Sequence, residues 1–192
     1  MMWHDGIDTS SVKWLKGEER EKAIEMLVQS MKEGSYWAPM GLRELKAISS
    51  IPDLKQELQN AGPRALIEIA HALNTIEETS EYMKYILLVL KKGSHWTFRM
   101  YAAILLREYN APEVIEALYD SMLDPDYLVR NHASESLLSI HGLQPSISSH
   151  KEIFKEIIVE FDPKDSASFE SAKQHYRNAA NLLRDTIAQE KR

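Results

Sequence analysis

Hydrophobic residues recur at helical spacing along almost the whole chain. In residues 18–32, apolar side chains fall three or four positions apart and so share one face of a helix. These side chains are Ala23, Ile24, Leu27, Val28 and Met31. No segment shows the alternation of apolar and polar residues that a half-buried strand requires. The pattern therefore predicts an all-α protein.

Turn-forming residues divide this pattern into ten helices joined by short connections. Pro63 and Pro112 suit the first turn of a helix, where the missing N–H costs nothing. The predicted helices span about residues 18–32, 37–48, 51–62, 63–76, 80–92, 96–109, 111–123, 127–141, 151–161 and 163–189. Successive helices pair, with one pair in roughly every 30 residues, which is typical of an α-solenoid.

Short sequence repeats support this pairing. Gly34-Ser35-Tyr36-Trp37 is similar to Gly93-Ser94-His95-Trp96, two repeats further along the chain. Trp96-x-x-Arg99-x-x-Ala102 is similar to Tyr127-x-x-Arg130-x-x-Ala133, one repeat later. Recurrence of this kind favours a role in packing at equivalent turns of stacked helix pairs.

One segment resembles a known family. Residues 124–133 have the sequence DPDYLVRNHA, and a leucine-rich helical face follows them. An acidic turn, a Val-Arg pair and a small residue in this order resemble a HEAT repeat. Residues 93–106 are similar in part, the first two pairs have Met40 or Ile67 in place of the arginine, and residues 143–192 match only as helices. The resemblance implies a right-handed α–α superhelix, an armadillo-like solenoid of about five helix pairs.

We predict one domain over residues 1–192. Residues 1–17 form an N-terminal extension, 18–142 the helix-pair repeats and 143–192 a capping pair. The last helix carries a single narrow apolar stripe, formed by Phe169, Ala172, Tyr176, Ala179, Leu183 and Ile187. A helix that caps the last repeat explains this stripe better than a dimerisation or docking helix, because the end of a solenoid must be covered.

Three residues of the best-matching repeat have expected structural roles. Arg130 follows Asp126 by four positions, so an ion pair between them can join the turn to the helix. Ala133 is small enough to let paired helices approach closely. In the equivalent turn one repeat earlier, Ser94 is the expected N-cap residue.

Composition narrows the range of functions. The formal net charge is −6, and a duplex-binding protein needs a surplus of Lys and Arg to displace counterions. The chain has no cysteine, which excludes a disulfide framework and a thiolate zinc site. The first eight residues do not resemble a signal peptide, and the longest apolar run, residues 85–90, is too short to span a bilayer. We expect a cytoplasmic protein without membrane contact.

Motifs for catalysis, cofactors and metals are not found in the sequence. It contains no Gly-x-Ser-x-Gly, no phosphate-binding glycine loop, no Gly-x-Gly-x-x-Gly and no His-Glu-x-x-His. Paired carboxylates occur at helix starts and turns, where they stabilise the helix dipole. We therefore predict a non-enzymatic protein with no catalytic residue, no cofactor and no metal site.

Two neighbouring segments differ in charge and form the candidate sites. Residues 81–110 carry five cationic side chains against two acids, and they include Trp96, Arg99 and Tyr101. Residues 111–142 carry six acids against one arginine. The acids that could bind a partner are Glu113, Glu116, Asp120, Asp124 and Asp126. An ordinary solvated face also explains these acids.

These segments lead to competing hypotheses. The first is a scaffold that binds a protein, such as an immunity protein or antitoxin whose acidic face masks a basic toxin domain. The second is a HEAT-like nucleic-acid-binding or DNA alkylation-repair protein that stacks bases on Trp96 and Tyr101 and contacts phosphates through Arg99. A third, a bilin-lyase-like protein that assists modification, rests on fold analogy alone.

Overall fold

The computed structural model describes residues 9–190, and all regular structure in this range is helical. The α-helices are α1 (Gly17–Lys32), α2 (Ala38–Glu44), α3 (Ile51–Glu57), α4 (Pro63–Ile76), α5 (Met83–Lys92), α6 (Trp96–Leu106), α7 (Pro112–Ser121), α8 (Tyr127–Ile140), α9 (Lys151–Ile157) and α10 (Ser166–Glu190). Short 3₁₀ helices occupy Ser10–Trp14, Ile48–Ser50 and Ile147–Ser149. The predicted all-α class and each predicted helix are confirmed. The predictions made for residues 1–8 lie outside the described residues.

Several helices are shorter than predicted, because the chain leaves the helix at residues that carry no turn signal. The helix predicted over residues 37–48 ends at Glu44, and Lys46 then adopts a left-handed conformation with φ of 46°. Glu78 adopts a similar conformation, with φ of 51°, after α4, which spans the predicted residues 63–76. α10 begins at Ser166 rather than near residue 163, because the Asp165 carboxylate accepts a hydrogen bond from the N–H of Ala167.

The chain forms two compact units, residues 1–86 and 87–192. In the described part of the first unit, α2 packs on α1 and on α4, and α3 packs on α4. The core of this unit includes the fully buried side chains of Leu42, Leu54, Ile67 and Leu73. Nothing in this division tests the expectation of one domain over residues 1–192, which stays a prediction.

In the second unit, α8 packs on α6 and α7, and α9 packs on α10. The hydroxyl of Ser136 on α8 donates a 2.8 Å hydrogen bond to the carbonyl oxygen of Ala103 on α6. Ala102 and Ala133 are fully buried. Small side chains on both helices thus allow the close approach that was predicted for Ala133.

The apolar stripe of α10 packs against other helices of the same chain. Its buried members are Ala172, Tyr176, Ala179, Leu183 and Ile187. The helix packs on α9 and α8, and the hydroxyl of Tyr176 donates a 2.7 Å hydrogen bond to the carbonyl oxygen of Val159. This burial favours the capping interpretation of the stripe over a stripe left open for dimerisation.

The predicted ion pair between Asp126 and Arg130 is wrong. Asp126 is the N-cap residue of α8, and its extended backbone directs the carboxylate to the N–H of Leu128, 2.9 Å away. Arg130 instead donates to the carbonyl oxygens of Asp124, Pro125 and Ile157, at 2.7, 2.9 and 3.1 Å. Arg130 thereby joins the turn before α8 to the end of α9, which its local sequence could not indicate.

Candidate functional site

Three carboxylates form one exposed row on α7. Glu113, Glu116 and Asp120 are separated by three and four positions, so they share a side of the helix, and all three are exposed. The opposite side of α7 is buried through Val114 and Leu118. α7 contains no Lys or Arg. We call Glu113, Glu116 and Asp120 the acidic face of α7.

One cation of the same unit approaches the acidic face of α7. Arg184 on α10 lies over the ring of Tyr119, 3.9 Å from its centroid, and reaches Glu116 at 3.5 Å. Burial raises the pKa of Tyr119, so the ring under this guanidinium stays neutral at physiological pH. The Glu116 side chain remains 70% exposed. The ring therefore holds Arg184 at the edge and leaves the carboxylates accessible.

The other two candidate acids are occupied by internal hydrogen bonds. Asp124 accepts two hydrogen bonds from the guanidinium of Arg99, at 2.6 and 2.9 Å, and one from the N–H of Asp126 at 2.8 Å. Asp126 caps α8 as described above. The structure thus separates the five predicted acids into three exposed carboxylates and two that shape a turn.

Arg99 holds two turns of the second unit. Besides Asp124, it donates a 2.8 Å hydrogen bond to the carbonyl oxygen of Gly93. The hydrogen bonds and the charge of Asp124 raise the pKa of Arg99 above its ordinary value, against a smaller opposing effect of burial. A Cβ on Gly93 would lie 3.3 Å from Cγ of Arg99 and 2.7 Å from the carbonyl oxygen of Val89, so this position suits glycine.

The aromatic and cationic candidates are only partly brought together. Trp96 and Arg99 both line a depression of about 260 Å³ before α6, together with Ser94, His95, Pro125 and Asp126. Trp96 stacks on His95, with ring centroids 5.6 Å apart. Tyr101 is half-buried and is not part of this lining.

The N-cap residue of α6 is His95 and not the predicted Ser94. Nδ1 of His95 accepts a hydrogen bond from the N–H of Thr97. The backbone places the imidazole, and not the neighbouring hydroxyl, at the first turn.

A buried polar cluster in the first unit was missed from the sequence. Glu68 on α4 is fully buried and pairs with Arg64 at 3.1 Å. One turn further on, Nδ1 of His71 lies 2.7 Å from the guanidinium of Arg43 on α2. Because an arginine can only donate, Nδ1 of His71 is the acceptor, and the proton of the neutral ring resides on Nε2. The sequence signal for this cluster was the spacing of Arg64 and Glu68, two charged residues four positions apart in the otherwise apolar α4.

Residues 9–190 contain no group of three or more His, Cys, Asp or Glu side chains that could hold a metal ion. None of their helices is both long and apolar enough to cross a bilayer. Compared with known proteins, the chain matches no family model, no curated protein and no solved structure.

Proposed function

We propose that this protein is a non-enzymatic scaffold that binds a basic protein through the acidic face of α7. The observation that carries the proposal is the row formed by Glu113, Glu116 and Asp120, exposed on a helix without a cation. Such a row attracts a cationic surface and raises the rate of association with it.

We further propose that the helices form a HEAT-like solenoid with an armadillo-like superhelical path. Packing within each unit supports this. The second helices of successive pairs pack together, α2 on α4 in the first unit and α6 on α8 in the second. In a stack of helix pairs, equivalent helices lie side by side in this way, and their exposed sides form an extended binding surface.

The partner that best fits this surface is a basic toxin domain, which would make the scaffold a cytoplasmic immunity protein or antitoxin. The net charge of −6 supports a cationic partner. A protein of this kind acts by covering the partner's working surface, so binding alone is sufficient for its effect. The partner is expected to carry a net positive charge and to impair growth when it is expressed without this scaffold.

The chain offers a matched control for testing the acidic face of α7. On α1, Glu18, Glu21 and Glu25 have the same spacing of three and four positions and are also exposed. α1 contains Arg20, Lys22 and Lys32, so its acids are interspersed with cations. Reversal of three charges on either helix changes the net charge of the protein equally, and only the position differs.

The experiment is affinity capture from a nuclease-treated lysate of the cells that produce the protein. We expect the wild type and the variant with Glu18, Glu21 and Glu25 changed to Lys to retain one stoichiometric basic protein. The variant with Glu113, Glu116 and Asp120 changed to Lys should lose it. Equal retention by both variants would contradict the proposal. Capture of nucleic acid without a protein from the same lysate before nuclease treatment would instead direct attention to Trp96 and Arg99.

A further inference from the structure

The second unit contains a cleft of about 440 Å³, which we call the α5–α7 cleft. It lies between the last turns of α5 and α7 and the turn that precedes α8. Its apolar lining is formed by Leu90, Ala117, Leu123 and Pro125. Its volume falls within the range of sites that bind small ligands or single side chains.

Charged side chains of opposite sign line different sides of this cleft. Lys91 and Lys92 belong to the end of α5, and Asp120 belongs to the end of α7. All three are exposed, and none forms an ion pair or a side-chain hydrogen bond with any described residue. The other two charges of the lining, Arg99 and Asp124, neutralise each other at 2.6 Å. The cleft therefore presents two cations and one anion that no described residue compensates.

We propose that the α5–α7 cleft binds a short polypeptide segment that carries a carboxylate next to a cationic side chain. The carboxylate pairs with Lys91 and Lys92, the cationic group pairs with Asp120, and the intervening aliphatic atoms cover the apolar lining. Neither a purely basic nor a purely acidic segment can satisfy both sides, since one of its groups would face a like charge.

The position of Asp120 indicates why the ligand is part of a protein. This carboxylate lines the cleft and is also the last member of the acidic face of α7. A basic surface seated on that face therefore extends directly into the cleft, where Lys91 and Lys92 require an acidic residue. The inference rests on the proposed function in this one respect, and it specifies the partner further as a basic patch that ends in an acidic residue.

The test uses capped tripeptides and the full-length ¹⁵N-labelled protein. The three probes are Arg-Gly-Glu, Arg-Gly-Arg and Glu-Gly-Glu, each acetylated and amidated. Titrations follow the backbone amides of Gly93, Ser121 and Leu123. We expect saturable shifts with Arg-Gly-Glu and an affinity about fivefold higher than with either single-charge probe, since two exposed ion pairs form instead of one.

Variants assign the binding to named charges. Lys91→Glu with Lys92→Glu should abolish binding of the mixed tripeptide, and Asp120→Lys should do the same. Lys151→Glu with Lys155→Glu changes the net charge equally on exposed side chains of α9 and should leave the affinity unchanged. Equal affinity for all three probes, or no shift at the three amides, overturns the proposal. Saturation by free lysine or glutamate at the affinity of the tripeptide also overturns it, in favour of a small zwitterion.

The outcomes separate this inference from the proposed function. If Glu113→Lys with Glu116→Lys abolishes capture of the basic protein while no tripeptide binds, only the cleft proposal fails. If the mixed tripeptide binds and the same pair of substitutions leaves capture intact, only the proposed function of the acidic face of α7 fails.

Discussion

The guanidinium of Arg99 donates two hydrogen bonds to the carboxylate of Asp124, although 25 positions separate these residues. The same guanidinium donates to the carbonyl oxygen of Gly93, so one side chain holds the turn before α6 against the turn before α8. A pair with this geometry joins successive helix pairs of the second unit. Arg99 lines both the depression beside Trp96 and the α5–α7 cleft, whereas Asp124 lines only the cleft.

Replacement of Arg99 by Lys should destabilise the protein although the charge is kept. A lysine cannot donate in parallel to both oxygens of Asp124 and also reach Gly93. We expect the free energy of unfolding to fall by about 1.5–3 kcal/mol, measured by urea denaturation and circular dichroism. Arg177→Lys, on the exposed side of α10, is the control and should change it by less than about 0.5 kcal/mol. Strictly additive effects of Arg99→Lys and Asp124→Asn would show that the pair contributes no coupling energy.

Arg130 and Arg184 both stack on a tyrosine ring, but Arg130 is buried and Arg184 is exposed. Each lies 3.9 Å from the centroid of a tyrosine ring, Tyr176 and Tyr119 respectively. Arg130 is 3% exposed and its pKa is lowered by burial, whereas the side chain of Arg184 is 46% exposed. The environments therefore differ much more than the stacking geometry.

Substitution of each arginine by Met should reveal this difference. Arg130→Met leaves the carbonyl oxygens of Asp124, Pro125 and Ile157 without a donor, so we expect a loss of about 2–4 kcal/mol in the free energy of unfolding. Arg184→Met should cost less than about 1 kcal/mol, because its side chain and that of Glu116 are largely exposed. Chemical denaturation of both variants measures the two losses. Similar losses would mean that ring stacking, and not the buried hydrogen bonds, accounts for the effect of Arg130.

The helices could be predicted from the sequence because each has a repeated apolar face. The hydrogen bonds between residues far apart in the sequence could not be predicted. Local spacing placed Arg130 one turn after Asp126, but its guanidinium reaches Ile157, which is 27 positions away. The sequence placed Asp124 and Asp126 in an acidic turn but kept them among the five candidate acids. The hydrogen bonds from Arg99, 25 positions earlier, show that Asp124 is bound inside the chain and does not belong to the acidic face of α7.

The end of α2 was mispredicted where the chain uses a left-handed residue other than glycine, whereas α4 ends at Ile76 as predicted. Lys46 and Glu78 have φ of 46° and 51° at the ends of α2 and α4. Glycine adopts this conformation without steric cost, and it is the preferred residue at this position after a helix. Lysine and glutamate leave no signal of it in the sequence.

Lys46→Gly and Glu78→Gly should therefore stabilise the protein. We expect each to raise the free energy of unfolding by about 0.5–1 kcal/mol, since the strain of the left-handed conformation is relieved. Glu77→Gly is the matched control, because Glu77 has φ of −88° and hydrogen-bonds to Lys55 and Tyr82. That variant should be less stable than the wild type. Thermal melting of the three variants checks the order, and a lower melting temperature for Glu78→Gly would contradict the prediction.

The carboxylate of Glu77 should contribute stability that depends on pH. It accepts hydrogen bonds from Lys55 at 2.8 Å and from Tyr82 at 2.7 Å, and these bonds lower its pKa below the ordinary value of 4.5. A group whose pKa is lower in the folded state stabilises the protein above the pKa of the unfolded chain, and this contribution is lost as the pH falls through the folded-state pKa. Glu77→Gln should thus be less stable than the wild type at neutral pH, and the two stabilities should converge as the pH falls below about 4.5. Urea denaturation at a series of pH values measures the difference in the free energy of unfolding.

The control for this prediction is Glu25→Gln. Glu25 is an exposed acid of α1 that forms no ion pair with a described residue. A difference between wild type and Glu77→Gln that stayed constant across this range would show that the hydrogen bonds of the side chain, and not its charge, stabilise the turn after α4.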